Sequence, residues 1–459
     1  MSSLWGDDFV VKTVPTSKII NKIKNPGEAK VVKRSSKAAS LPIDIRLDSI
    51  KSNVLRILGK YADNTQVIYT REDLHAYIDK AIENGDIAID TETNNSLDPI
   101  TCKLMGPCIY TPECKQAYIP INHVDFRTRK RLANQLTEQD VKEEFSRLSD
   151  TLIIMHNGKF DYQVIKCTTD LQLKVYWDTM VAARLLDENE KSAGLKQQYH
   201  DKIDSSDEKY SIDHLFEDIE YALVPPEVFA LYAATDAFKT YKLYKWQLEQ
   251  FSKPENERLR NLFLTIEMPV MEVAADMELT GICIDAEYAK RLSEKYHKLL
   301  DDVKAKVNHQ LLEYEEDITA WRKTADANYK AEKTNKKGEL TYTKSKNEQL
   351  KNPPELTSPA QLAILLYDVL KVPVVDKKTP RGTGEDILKK IDNPLCQLVL
   401  EQRGLEKLIG TYIDKLPSCV SEKDGRLHAH FNQVGTDTGR FSSSDPNLYH
   451  WRHMSVMAY

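Results

Sequence analysis

Six residues of this chain have the types and spacings to act together on one substrate: Asp90, Glu92, Asn157, Asp161, Tyr232 and Asp236. Asp90 and Glu92 end the apolar run "IAIDTET" (87–93). Charges at the end of a buried strand are costly unless something positive sits between them or a surface turn brings water. In "MHNGKFD" (155–161), Asn157 closes another apolar run, and Asp161 falls in the first turn of the next helix, where an anion suits the dipole. In "LYAATDAF" (231–238), Tyr232 and Asp236 stand at i and i+4 and share a helix face. Four clustered carboxylates repel one another unless divalent metal neutralises them, and oxygen ligands with few imidazoles favour Mg²⁺ or Mn²⁺. Two such ions about 4 Å apart can hydrolyse a phosphodiester, one activating water and the other steadying the leaving oxygen. Tyr232, beside Asp236, can then orient the attacking water. Taken singly, each of these spacings also arises from ordinary alternation of surface and core; the weight lies in the conjunction, in order, within one α/β segment.

The flanking pattern supplies the elements. "TQVIYT" reads as a strand, "REDLHAYIDKAIEN" as an amphipathic helix and "GDIAIDTET" as a second strand. "QAYIPIN" and "TLIIMHN" follow as strands, "KFDYQVIK" as a helix, and "PPEVFALYAATDAFKTYKLYKWQLEQF" as a long helix. Strands alternating with helices predict a layered α/β domain ending near 250. Beyond it, "NERLRNLFLTIEMPVMEVAADMELTG" and "AEYAKRLSEKYHKLLDDVKAKVNHQLLEYEEDI" carry a 3.6-residue period, with Gly281 as the stop between them. Residues 321–352 are polar and lysine-rich without an apolar stripe. Residues 1–65 read as a basic, flexible leader, and "LWGDDFVV" within it as a docking motif or an untethered terminus.

At 459 residues the chain exceeds one ordinary core and suggests about three domains. Hydrophobic residues at 41% and charged residues at 29% indicate a soluble, globular protein. No apolar run of about 18 residues and no export signal is present, which points to a cytoplasmic location without membrane contact. Seven cysteines form no CxxC pair, and Cys102, Cys108 and Cys114 are too widely spaced for a zinc knuckle, so reduced thiols are expected. A net charge of −6 argues against coating nucleic acid all over, but leaves room for a local basic track.

"IDTET", "HNGKFD" and "YAATD" resemble the three motifs of the DEDD 3′–5′ exonucleases, in the tyrosine-bearing subclass. That resemblance implies an α/β exonuclease domain of RNase H-like type over 66–250, a mixed sheet with flanking helices. It implies metal ligands Asp90, Glu92, Asp161 and Asp236 for two Mg²⁺ or Mn²⁺ ions, with Tyr232 and Asn157 in supporting roles. In such enzymes a leucine after the first motif wedges between terminal bases; Leu97 is the candidate, its alternative role being to anchor a turn.

"IEMPVMEVAADMELTGICID", "LTSPAQLAILLYDVLKVPVV", "RGLEKLIGTYIDKLP" and "GRLHAHFNQVGTDTGRFSSSDPNL" resemble successive segments of the A-family DNA polymerases. The implied layout is a mostly α-helical thumb and palm start over 251–435 and an incomplete palm segment over 436–459. A polymerase reads phosphates and the minor groove, whose acceptors vary little with sequence. By resemblance, Arg440 reaches the minor-groove edge of the primer-terminal pair, and Thr438, Ser442, Ser443 and Asn447 hold nearby backbone or template. The lysines of 321–352 suit a thumb tip on phosphates or a solvated helical hairpin, and Arg403 and Lys407 suit a solvated helix face. The segment bearing the first palm aspartate is not found, so the expectation is proofreading without DNA synthesis by this chain alone, in an enzyme of phage origin. A second polypeptide carrying palm and fingers, or a truncated product, would account for this. The expected partners are single-stranded 3′ ends and primer–template duplex. A non-enzymatic DNA-holding subunit and an RNA-trimming exonuclease are the rival readings.

Overall fold

The computed structural model describes residues 42–187, 192–207, 213–216, 219–333, 350–436 and 438–448. Its centre is a six-stranded mixed sheet made of β1 (Thr65–Val67), β2 (Asp86–Thr93), β3 (Leu104–Tyr110), β4 (Gln116–Tyr118), β5 (Leu152–Met155) and β6 (Val175–Asp178), in the order β1-β4-β3-β2-β5-β6. β2 lies inside, antiparallel to β3 and parallel to β5. Its Ile87, Ala88 and Ile89 are fully buried, as a strand covered on both faces requires.

Helices cover the sheet on two sides. Cys108 and Tyr118 point into one apolar cluster while their neighbours Ile109 and Ala117 point into the other, the period-2 alternation of a strand. The long helix Pro226–Phe251 contributes Phe229, Tyr232 and Ala233 to the first cluster and Tyr241, Tyr244 and Phe251 to the second. The helix Arg71–Asn84 has the bounds its pattern predicts: Thr70 caps its start, and Gly85, at φ 79°, ends it in the left-handed region.

At three places the structure goes beyond the sequence pattern. Part of the supposed leader is folded: Ile43–Leu58 is a helix whose Leu47, Ile50, Val54 and Leu58 form a buried stripe against the long helix. The apolar stripe follows directly on lysine-rich sequence; residues 1–41 lie outside the described residues. β3 forms although it contains Gly106 and Pro107, residues that weaken a strand pattern. Here Gly106 is required, since a Cβ would come within 2.1 Å of the Ile119 carbonyl oxygen. The sheet's core also draws on residues beyond 250. The helical run Glu257–Leu262, Phe263–Glu267 and Met268–Thr280 sends Phe263, Met268, Met271 and Ala275 into the sheet's own core. The Trp177 and Phe263 rings lie 4.5 Å apart.

Gly281, at φ 65°, stops that run as the period suggests. The helices Ala286–Leu312, Glu315–Lys333 and Pro394–Leu408, with the turn-rich stretch between them, build a separate core around Val303, Val307, Leu365, Leu388 and Val399. Two short ribbons complete the fold, Ile282–Cys283 with Arg426–Leu427 and His430–Asn432 with Ser442–Ser444. Half of the lysine-rich 321–352 stretch, residues 334–349, lies outside the described residues.

Candidate active site

The end of β2 is where the acids meet. Asp90 pairs in register with Cys108, and Glu92 with Gly106, with a bulge just after Glu92 that turns the chain out of the sheet. Asp161 comes in from the first turn of the helix Gly158–Thr169. Thr91, between the two β2 acids, donates to Asp161 Oδ1 from its backbone N–H at 2.9 Å and from its hydroxyl at 2.6 Å. Those two bonds tie the helix start to the strand end.

The helix start is itself pinned. Asn157 stands in the left-handed region at φ 57°, and its N–H and that of Gly158 donate to the Asp178 carboxylate at 3.1 and 2.8 Å. Asp178 also caps the helix Thr179–Leu186 through Met180 N–H and Val181 N–H, so its oxygens are used before any ligand arrives. Gly158 is needed because a Cβ there would lie 2.6 Å from the Met155 Cβ.

Asp236 enters from the long helix, with Tyr232 one turn before it. Lys196, on the helix Leu195–Lys202, donates its ammonium to Asp236 and lies 5.4 Å from the centre of the Tyr232 ring. The Phe216 and Tyr232 rings are 5.1 Å apart, which fixes Tyr232 from the other side.

Electrostatics show how closely these charges are confined. Burial, then Asp161, Asp236 and Glu92, hold the Asp90 carboxyl well above the usual carboxylate range, with Lys196 pulling the other way. Burial pushes Asp161 up to about 7 against the two Thr91 hydrogen bonds, which pull it down. Burial would lower the Lys196 ammonium, but Asp236, Asp90 and Glu92 outweigh it and hold the group above the usual lysine range. A metal-free site this crowded is short of positive charge.

Ligand atoms of Asp90, Glu92 and Cys108 lie within 4.8 Å of one another, a group able to hold a metal ion. Cys108 is a poor member of it. Burial and then Asp90 and Glu92 push its thiol well above its ordinary range, so it stays protonated, and hard divalent ions prefer oxygen. The donor set that fits a divalent cation is therefore carboxylate.

Other predicted residues lie elsewhere. Asn157 is exposed, and its backbone rather than its side chain makes the bond to Asp178. Leu97 is 83% exposed on a loop tied by the Thr93 hydroxyl to the Ser96 carbonyl, so it anchors no turn. Arg440, Thr438 and Asn447 are exposed and Ser442 is half-buried, along the ribbon and turn of 430–448. Ser443 differs from its expected role: it is buried, its hydroxyl donating to the Pro446 carbonyl and accepting from Leu448 N–H. Arg403 is not a solvated residue either; its guanidinium donates to the Thr383 and Leu356 carbonyls at 2.6 and 3.1 Å. Lys159, inside "HNGKFD", bridges the acid-bearing helix to this ribbon through Glu278 and the Phe431 carbonyl.

Thr91, Asp178 and Lys196 were not found from sequence. Asp178 had a signal, an aspartate just before an apolar helix. Thr91 lies inside "DTE", and Lys196 in "GLKQQYHDK" gave none.

Comparison with known proteins now assigns the two halves. Residues 65–249 match the family described as 3′-5′ exonuclease, and residues 325–451 match DNA polymerase family A. An exonuclease domain followed by polymerase sequence defines the class. The chain belongs to the A-family DNA polymerases and includes the exonuclease domain. It is 28% identical over 466 residues to DNA polymerase I of Treponema pallidum, covering 91% of this chain and 40% of that protein. DNA polymerase I of Synechocystis is 31% identical over 400 residues, covering 83% and 35%. The chain thus spans two fifths or less of these relatives. A solved structure, the POL domain of Pol1 from M. smegmatis in complex with DNA primer-template and dNTP, superposes at a TM-score of 0.59 with 19% identity. It covers 83% of this chain and 55% of that one, and shows the fold. These relatives are bacterial, so a phage origin is not shown. Among the described residues no helix is long and apolar enough to cross a membrane.

Proposed function

We propose that this chain is a proofreading 3′–5′ exonuclease that releases nucleoside monophosphates from DNA 3′ ends. The observation that carries the reading is the convergence of Asp90, Glu92, Asp161 and Asp236 from one strand and two helices, close enough to hold Asp90 well above its ordinary range. In this reading the four acids hold two Mg²⁺ or Mn²⁺ ions, which when bound activate water and stabilise charge on the leaving oxygen. The chain's own residues do the rest. Thr91 holds Asp161 in place, Tyr232 orients the attacking water beside Asp236, and Leu97 meets the terminal base from its exposed loop. Asn157 supports the start of the Asp161 helix. Water adds to the terminal phosphorus, the bond to the preceding 3′ oxygen breaks, and that oxygen takes a proton as the monophosphate leaves.

The substrate strand is the 3′ end of a primer. Arg440, Thr438, Ser442 and Asn447 present an exposed ribbon to the primer–template duplex, while Ser443 holds the ribbon's shape. Support for duplex binding is the likeness to a POL domain captured with primer-template DNA. A cytoplasmic location fits seven free cysteines.

Alanine at Asp90 or Asp236 tests the reading. Mg²⁺-dependent loss of a 5′-labelled single strand should fall at least about a hundredfold in each variant, the scale of losing a group that stabilises charge in the transition state. Retained activity in a folded variant overturns the assignment.

A further inference from the structure

A lysine is an expensive residue to place among carboxylates that are meant for metal. Lys196 and Asp236 are paired with only 16% and 13% of their side chains exposed. Ion pairs this far from water return little net stability, because desolvating both charges offsets their attraction. Lys196 faces Asp236 directly, stands over the Tyr232 ring, and its field reaches Asp90 and Glu92. It therefore sits in the path of any cation that would use Asp236.

Two positive species cannot share that carboxylate cheaply. A divalent ion among the acids repels the ammonium, whose four-carbon stem is flexible enough to swing it away. The next anion on offer in a loaded site is the phosphate of the bound strand, which every DNA 3′ end presents.

We propose that Lys196 is the site's built-in counter-cation, holding Asp236 when no divalent ion is bound and turning onto the terminal phosphodiester of the DNA strand when one is. This rests on the exonuclease reading of the site. Lys196 is then a positioning residue with two states, and its removal has opposite effects on the two ligands. Metal binds more tightly without its repulsion, and DNA binds more weakly without its contact.

The test compares wild type with K196M, which keeps the stem and removes the charge, in the full chain. Mn²⁺ affinity without DNA, read by calorimetry, should rise about tenfold, a conservative effect for removing one unit charge at such range. Affinity for a single-stranded oligonucleotide in Ca²⁺ should fall about tenfold, and the slope of log K against log salt should shrink by about 0.7, the value of one phosphate contact. Should K196M not fold, K196Q carries the same comparison. Unchanged or weaker Mn²⁺ affinity, or an unchanged salt slope, overturns the proposal and leaves a structural ion pair. A wild type that binds no Mn²⁺ and cuts no DNA overturns instead the reading on which it rests.

Discussion

Replacing Thr91 with valine keeps the branched shape and removes one donor from Asp161. The hydroxyl bond of 2.6 Å is lost and the backbone bond of 2.9 Å to the same oxygen remains. A hydrogen bond to a charged group contributes about 1.5–3 kcal/mol, and the lower end applies because one donor survives. At 1.36 kcal/mol per unit, that raises the Asp161 carboxyl by about one unit above its value of about 7. Protons and metal compete for a ligating carboxylate, so apparent affinity falls below its pKa. Titrating Mn²⁺ into the protein across about pH 5.5 to 9 should show log K breaking near neutrality in wild type. In T91V the break should move up by about one unit, and the two curves should converge at the alkaline end. Coincident curves, or a constant offset that persists at high pH, would refute the reasoning that Thr91 acts by setting the Asp161 proton.

The raised acids also make a stability prediction with a definite sign. A carboxyl whose folded pKa lies above its unfolded value adds stability below about pH 4, and that stability is lost as pH rises through the folded value. His123 and His156, driven down to about 4 and about 3 by burial, act the other way until unfolded histidine has passed its midpoint near pH 6.5, and they act equally in wild type and D161N. Metal-free wild type should therefore lose melting temperature relative to D161N between about pH 6.5 and 8, and Mg²⁺ should restore more at the upper end; parallel curves by scanning fluorimetry would contradict this. Leu97→Ala should leave unfolding free energy within about 0.5 kcal/mol of wild type, being a surface change, yet slow cleavage of strand ends; unchanged cleavage would remove Leu97 from the site. Ser443→Ala should cost about 1–2 kcal/mol of stability, because it strips a bond from buried backbone groups, with duplex affinity intact. Arg440→Ala should do the reverse, lowering duplex affinity with melting temperature unchanged, as a solvent-exposed arginine allows.

What was legible in the sequence depended on how local the signal was. The helix Arg71–Asn84 and the long helix Pro226–Phe251 declare their period and their stops, and the acids stand on the elements their neighbours predict. β3 was hidden because Gly106 and Pro107 look like breakers until the close approach of Ile119 is known. The helix Ile43–Leu58 was hidden by the basic sequence before it, though its stripe of four apolar residues is regular. Lys196 could not be found locally at all: its meaning comes from Asp236, 40 residues away in the chain, across a helix pair. Ser443 and Arg403 differ from expectation for a related reason, since a polar residue's partner decides between a ligand contact and an internal bond, and neither partner is visible in the sequence. Thr91 shows the same limit, since its partner Asp161 lies 70 residues away.

The central claim is that this acid cluster cuts DNA from its 3′ end with divalent metal. The most direct measurement follows a 5′-labelled single strand incubated with the protein in Mg²⁺, with and without EDTA, beside D236A. The account predicts a ladder that shortens one nucleotide at a time from the 3′ end, releases monophosphates, and vanishes with EDTA or in D236A. Persistence in EDTA, undiminished cutting by D236A, or no shortening by the folded wild type would contradict it.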